Sequence, residues 1–306
     1  MCIVTGTTYD TIVNTLFQNE INSLITINYG TTQTDCYIQL RDNKSSVFAG
    51  DQFESSEYLM RQSGYTGDYV QSTNVFSKEP LALVTRDSDP VWSDFVNWVL
   101  QSLMTAEELN LTQANAVNAF GTTDYFGTAT SDMFVNALAA VGNYGEIYEQ
   151  NLEVISPRSV MNKLNNGSSG LIYSMPFGDT STEGPGPNPG GTMETIVNRG
   201  YLKCGISSRA IFALYNENTS EWSGFDVDFC RAVSAALLNG VTNTIEFHDL
   251  SATERFIALE NGTVDLLSRI TTDNFQRDVD EPTTGVGFSF SQINFYDGLL
   301  FGGIPP

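Results

Sequence analysis

STEGPGPNPGGTMETIVNRGYLKCGIS, residues 181–207, decides how the whole chain is read. Its first half has the composition of a linker and its second half has the pattern of a domain beginning. The segment GPGPNPGG (184–191) shares with a phosphate-binding loop only its glycines. Proline has no backbone N–H, so Pro185, Pro187 and Pro189 remove the donors such a loop needs. The segment is a linker, and a domain that starts this late in a 306-residue chain needs an explanation.

Downstream of the linker, strand and helix patterns alternate. YLKCGIS (201–207) reads as a buried strand. FDVDFCRAVSAALLNG places Phe229, Val233, Ala236 and Leu237 at helical spacing, with Gly240 as the stop. TIEFHDL (244–250) is a second strand, Ser251-Ala-Thr-Glu254 a capping box for a helix carrying Phe256 and Leu259, and VDLLSR (264–269) a third strand. This order predicts a parallel α/β sheet.

Upstream, CIVT (2–5) is a short strand, and Gly6-Thr7-Thr8 leads into a helix with Ile12, Leu16 and Phe17. Residues 36–40, CYIQL, read as another strand. From 89 to about 155 the pattern is helical, with Phe95, Val99 and Leu103 on one face and Val96 and Leu100 beside it. That face is expected to be core.

Composition narrows the functional classes. Thirty-six acids against fourteen bases give a net charge of −22. Such a surface repels nucleic acid and anionic membranes, which excludes both as partners. No apolar run approaches the ~18 residues of a membrane helix, and MCIVTGTTYD lacks the regions of a signal peptide. The expectation is a secreted fragment or an unusual module. The acidic run Asp278–Glu281 lacks the alternating ligands and glycine of a calcium loop, so no metal is expected.

Four cysteines, Cys2, Cys36, Cys204 and Cys230, fall as one pair in each half. With one histidine, His248, and no CxxC spacing, zinc is disfavoured. Three pairings are open; Cys2–Cys36 with Cys204–Cys230 is the expected one, each bridge worth about 3 kcal/mol and pointing to an oxidising compartment. Five N-x-S/T sequons, at Asn43, Asn110, Asn166, Asn218 and Asn261, are what this composition yields by chance.

Catalysis finds little support. A Ser-His-Asp or Cys-His site would have to use His248 on an apparent strand, and no Walker loop or dinucleotide fingerprint is present, so no cofactor is implied. Two features suit anion binding. Thr7 and Thr8 bring hydroxyls to a helix N-terminus, where N–H groups and the dipole favour a carboxylate or phosphate. In LLSRITTDNFQR (266–277), Thr271 and Thr272 precede Arg277, whose fork can grip a carboxylate.

KCGIS…WSGFDVDFCRAVSAAL, ATERFIALENGTVDLLSR and INFYDG together resemble the start of mature periplasmic solute-binding proteins of polar and general amino-acid ABC transporters. VTGTTYD, SKEPLALVTRDSDPVW, TAEELNLTQAN, AVGNYGEIYEQN and NNGSSGLIYSMPF resemble later parts of the same family, in family order. The resemblance covers nearly the whole chain but in a changed order: a circular permutation, or the junction of tandem repeats. It implies a two-lobe Venus-flytrap fold, with 1–82 as the second lobe, 83–177 as the helical end of the first lobe, 178–191 as the linker and 192–306 as the α/β start of the first lobe up to the hinge. The ending FYDGLLFGGIPP then looks like the hinge crossing, and a short run before Cys2 is missing from the family pattern.

The resemblance also implies the chemistry. Arg277 matches the arginine that holds the ligand α-carboxylate, Thr272 its partner, Thr8 the second-lobe carboxylate contact, and Asp42 the acid that pairs with the ligand ammonium. The implied ligand is a free amino acid held as a zwitterion between two lobes, without catalysis, in an extracellular or periplasmic protein that works with an ABC permease or with neighbouring copies of itself. Three departures suggest an alternative, a structural repeat whose ligand site has decayed. Phe212 is bulky where the family has small residues, Asp273 stands where an aromatic is common, and Arg41 is placed to satisfy Asp42 internally.

Overall fold

A computed structural model describes residues 1–18, 25–118, 120–178, 184, 186–209, 211–241 and 243–305. The pieces 181–183 and Pro185 of the opening stretch lie outside the described residues. In chain order the elements are β1 (Cys2–Val4), α1 (Thr8–Gln18), β2 (Asn28–Gly30), α2 (Gln33–Arg41), β3 (Val47–Asp51), α3 (Glu57–Gln62), β4 (Val70–Gln71), β5 (Glu79–Arg86), α4 (Pro90–Glu108), α5 (Met133–Val141) and α6 (Tyr144–Asn151). They continue as α7 (Thr192–Arg199), β6 (Leu202–Ile206), β7 (Leu214–Asn216), β8 (Glu221–Ser223), α8 (Phe225–Leu237), β9 (Ile245–Asp249), α9 (Arg255–Glu260), β10 (Leu266–Thr272), α10 (Phe275–Val279), β11 (Phe288–Asp297) and β12 (Leu299–Gly303). Among the described residues, no helix is long and apolar enough to cross a membrane.

The chain is α/β and divides into two compact units. Unit 1 comprises Met1–Pro80, Ser251–Glu254 and Tyr296–Pro306; unit 2 comprises Leu81–Leu250 and Arg255–Phe295. The units differ from the expected division at three places: residues 81–82 belong with unit 2, and 251–254 and 296–306 with unit 1. At the C-terminal end the chain passes from unit 2 to unit 1 between Phe295 and Tyr296, inside the FYDG stretch expected as a crossing, and β12 then lies antiparallel between β3 and β4.

The sheet of unit 1 has the order β2-β1-β3-β12-β4, with β1 parallel to both β2 and β3. The strand expected at 36–40 is instead part of helix α2. Thr32 and Asp35 form a reciprocal capping box at its start. The buried residues Gln33, Cys36, Tyr37 and Leu40 then recur at helical spacing, so one face packs inward. Cys36 on that face bonds Cys2 in β1, with Cα atoms 5.4 Å apart.

The sheet of unit 2 has the order β11-β5-β10-β6-β9, with β10 and β9 parallel to β6 as expected and β5 antiparallel to β10. Strand β5, from the first part of the chain, thus lies between β11 and β10, from the last part. Helix α4 starts with Asp89 capping and Pro90 in its first turn, and Phe95, Val96, Val99, Leu100 and Leu103 are buried along it. Helix α8 is buried nearly all round and is tied to β6 by Cys204–Cys230, Cα atoms 6.2 Å apart. Both disulfides are the expected pairs.

Candidate functional site

In unit 2 the predicted residues converge at the end of β10. Its pairing with β5 slips between Leu267 and Thr271, and Ile270 inside that irregularity has φ 50°. A β-branched residue in the left-handed region costs about 1–3 kcal/mol, and a bulge of this kind re-aims the residues after it. Thr271 and Thr272 follow at once, both buried. Asn274 then caps α10 by accepting from the Arg277 N–H, which sets Arg277 one turn along.

Arg277 is 8% exposed. Its Nη1 donates to the Thr272 carbonyl at 2.9 Å, and its guanidinium carbon stands 5.5 Å from the Phe256 ring centre. A planar cation braced by a carbonyl and a ring face is pre-oriented, so little rotamer freedom remains to be lost on gripping a carboxylate. The hydroxyl of Thr271 lies 3.4 Å from the Arg269 carbonyl and stays within the strand end. Asp273, beside this group, has its carboxyl pushed up, first by burial and then by the nearby charge of Asp278.

In unit 1 the Gly6-Thr7-Thr8 turn leaves β1 and starts α1. Gly6 has φ 74°, and a Cβ there would sit 2.8 Å from the Thr253 methyl, so the position requires glycine. The Thr7 hydroxyl donates to the Val4 carbonyl at 2.6 Å and accepts from the Asp10 N–H at 3.3 Å, while the Gly6 N–H donates to Asp10. Thr7 is thus occupied with capping the helix. The Thr8 hydroxyl donates to Glu79 Oε2 at 2.7 Å. Both hydroxyl protons are directed inward, so an anion here would meet the first-turn N–H groups and the helix dipole rather than the side chains.

Asp42 is not brought together with Thr7 and Thr8. Strands β1, β2 and β3 are mutually parallel, so α2, which joins β2 to β3, runs back against them. Its C-cap, Asp42, therefore lies at the sheet edge opposite to the Gly6-Thr7-Thr8 turn. There it pairs with Arg41 Nε at 3.0 Å and Lys44 Nζ at 3.8 Å, and the Arg41 hydrogen bond holds its carboxyl below the usual range.

The acid that does stand at the turn's edge is Asp51, the last residue of β3, which is buried. The sequence signal was VFAGD, a strand ending in an acid. Behind it the main chain of Phe53 and Gly298 donates to Asp297, Ser77 donates to Glu79 at 2.6 Å, and Glu54 is buried nearby. Burial, followed by the charges of Glu54 and Glu79, pushes the Asp297 carboxyl up to about 8 against the pull of its two backbone donors. This end of unit 1 is therefore rich in buried acid and suits a cationic group.

Phe212 does not fill a binding pocket. It is 2% exposed and packs edge-on to Phe225 and Phe295, with ring centres 6.0 and 5.7 Å away. Tyr144, Tyr148 and Phe229 extend the same aromatic core around Phe225. His248 sits on β9 with Nε2 2.7 Å from Glu246, an arrangement of strand neighbours.

No family model matches the chain. Over 112 residues it is 39% identical to a putative amino-acid ABC transporter-binding protein, YhdW, of Escherichia coli, covering 37% of this chain and 31% of that protein. It is 36% identical over 110 residues to the general L-amino acid-binding periplasmic protein AapJ of Rhizobium johnstonii, covering 36% of this chain and 30% of that protein. A third relative is the glutamate/glutamine/aspartate/asparagine-binding protein BztA of Rhodobacter capsulatus, 34% identical over 110 residues, covering 36% and 31%. A solved ABC transporter periplasmic binding protein from Brucella ovis with glutathione bound is 44% identical over 28% of this chain and 27% of that one, with a TM-score of 0.27, too low to bear on the fold. The chain spans about a third of the length of these curated relatives. Over 110 to 112 of its 306 residues, the chain is thus similar in sequence to proteins named as binding proteins of amino-acid transport.

Proposed function

We propose that this chain is a non-catalytic module that binds a free amino acid as a zwitterion. The observation that carries the reading is Arg277, a buried arginine braced by Thr272 and Phe256 at the end of a strained strand. Arg277, with Thr271 and Thr272, takes the α-carboxylate. Unit 1, taken by itself, carries at the Thr7-Thr8 turn N–H groups that suit an anion, and at the end of β3 a buried acid, Asp51, that suits a cation better than the salt-bridged Asp42. The names of the relatives support amino-acid ligands, a periplasmic or extracellular setting and an ABC permease as partner. They lend no support to a structural repeat with a decayed site.

The changed order is proposed to be a circular permutation or the junction of tandem repeats, in which 83–177 and 192–295, apart from 251–254, complete one lobe. In support, β5 lies within the same sheet as β10 and β11. The test of function is a thermal-shift series with the twenty amino acids. A ligand at ~100 times its Kd stabilises a working binder by about 2.7 kcal/mol, several degrees for a chain of this size. No shift with any amino acid would refute the reading.

A further inference from the structure

A cavity elsewhere in unit 2 shares no residue with the groups above. An open cavity of about 380 Å³ runs along one face of α4 and is lined by Asp94, Trp98, Tyr125, Phe126, Phe134 and Phe177, among others. Asp94 and Trp98 are four residues apart on the helix and so share a face. The aromatic wall is continuous: the Phe177 ring centre is 5.1 Å from Trp98 and 4.9 Å from Phe134, the latter at right angles. Phe134 is buried at the base, whereas Tyr125, 39% exposed, stands at the rim. Among the described residues, no lysine or arginine lines the cavity.

We propose that this cavity binds a small organic ammonium ion, of the size and chemistry of a trimethylammonium or alkylammonium group. Aromatic faces carry negative charge density and attract cations, most strongly when the ion is desolvated against several rings. Asp94 adds a full negative charge at the same place. A neutral apolar guest would cover that carboxylate without compensating it, and an anion would be repelled by both the carboxylate and the ring faces. Partial burial already pushes the Asp94 carboxyl upward, as expected for an acid lying against an apolar wall with no cation to relieve it. The overall charge of −22 raises the local concentration of cations around the molecule. The volume falls within the range of small-ligand pockets and exceeds what a single solvated metal ion would need.

The test uses calorimetric titration of the full chain at neutral pH with choline and tetramethylammonium, and with the uncharged isostere 3,3-dimethylbutan-1-ol. The expected result is binding of both cations at least about tenfold tighter than the alcohol. Asp94→Asn, at an exposed position, should keep the melting temperature and lose about tenfold in cation affinity. Asp94→Lys should abolish cation binding by placing an ammonium in the cavity. Absence of cation binding overturns the proposal. So does equal binding of the alcohol, which would make the cavity merely apolar. Unchanged affinity in Asp94→Asn overturns it as well.

Discussion

Arg277 and Thr272 are bound to each other through the main chain: the guanidinium donates to the Thr272 carbonyl at 2.9 Å. The contact uses one of the five guanidinium donors and fixes the plane of the rest. A lysine at this position would carry the charge without the fork or the stacking on Phe256. Arg277→Lys is therefore expected to weaken amino-acid binding by about 10- to 100-fold while leaving the melting temperature within a few degrees, measured by titration and thermal unfolding of the same samples.

Asp42 and Asp51 give opposite expectations. Asp42 is exposed and already paired with Arg41 and Lys44, so Asp42→Ala should leave amino-acid affinity unchanged. Asp51 is buried at the end of β3 beside the Gly6-Thr7-Thr8 turn. Asp51→Asn keeps its shape and removes its charge, and should cost affinity at least about tenfold, in line with the loss of a charge-assisted hydrogen bond. Titration of both variants with the best amino acid from the panel checks the pair.

Asp297 makes stability depend on pH. Its folded-state pKa is raised to about 8, above the ~3.9 of an unfolded aspartate. Between these values the folded state binds more protons than the unfolded one, so this residue's contribution to stability falls as pH rises and is lost by about pH 8. Asp297→Asn should retain the two backbone contacts in part and remove the titration. Melting curves from pH 5 to pH 9 should show the wild type losing several degrees relative to Asp297→Asn as pH increases.

Phe212 was the residue that pointed to a filled pocket, yet its ring is part of the aromatic core around Phe225. Phe212→Ala should destabilise unit 2 by about 3–5 kcal/mol, the usual cost of emptying such a position, without improving amino-acid affinity. Urea unfolding together with ligand titration separates the two effects.

Much of the architecture was legible because its signals are local. The helix of Phe95, Val99 and Leu103 and the strands at 202–206 and 245–249 follow from periodicity, whereas the cysteine positions left three pairings open, of which the expected one is found. The segment 36–40 was misread because five residues hold too little periodicity to separate strand from helix; the Thr32/Asp35 capping box lay just outside the window. Strand β12 was hidden because its partners, β3 and β4, are more than 200 residues away, and long-range pairing leaves no local mark. Nor could periodicity reveal the bulge at Ile270, which depends on the register with β5.

The most direct measurement is calorimetric titration of the whole chain and of Arg277→Ala with each amino acid. At least one amino acid is expected to bind the wild type with one-to-one stoichiometry, and Arg277→Ala is expected to abolish the heat while remaining folded. An amino acid that binds both proteins equally would contradict the assignment of Arg277, and a wild type that binds none would contradict the account as a whole.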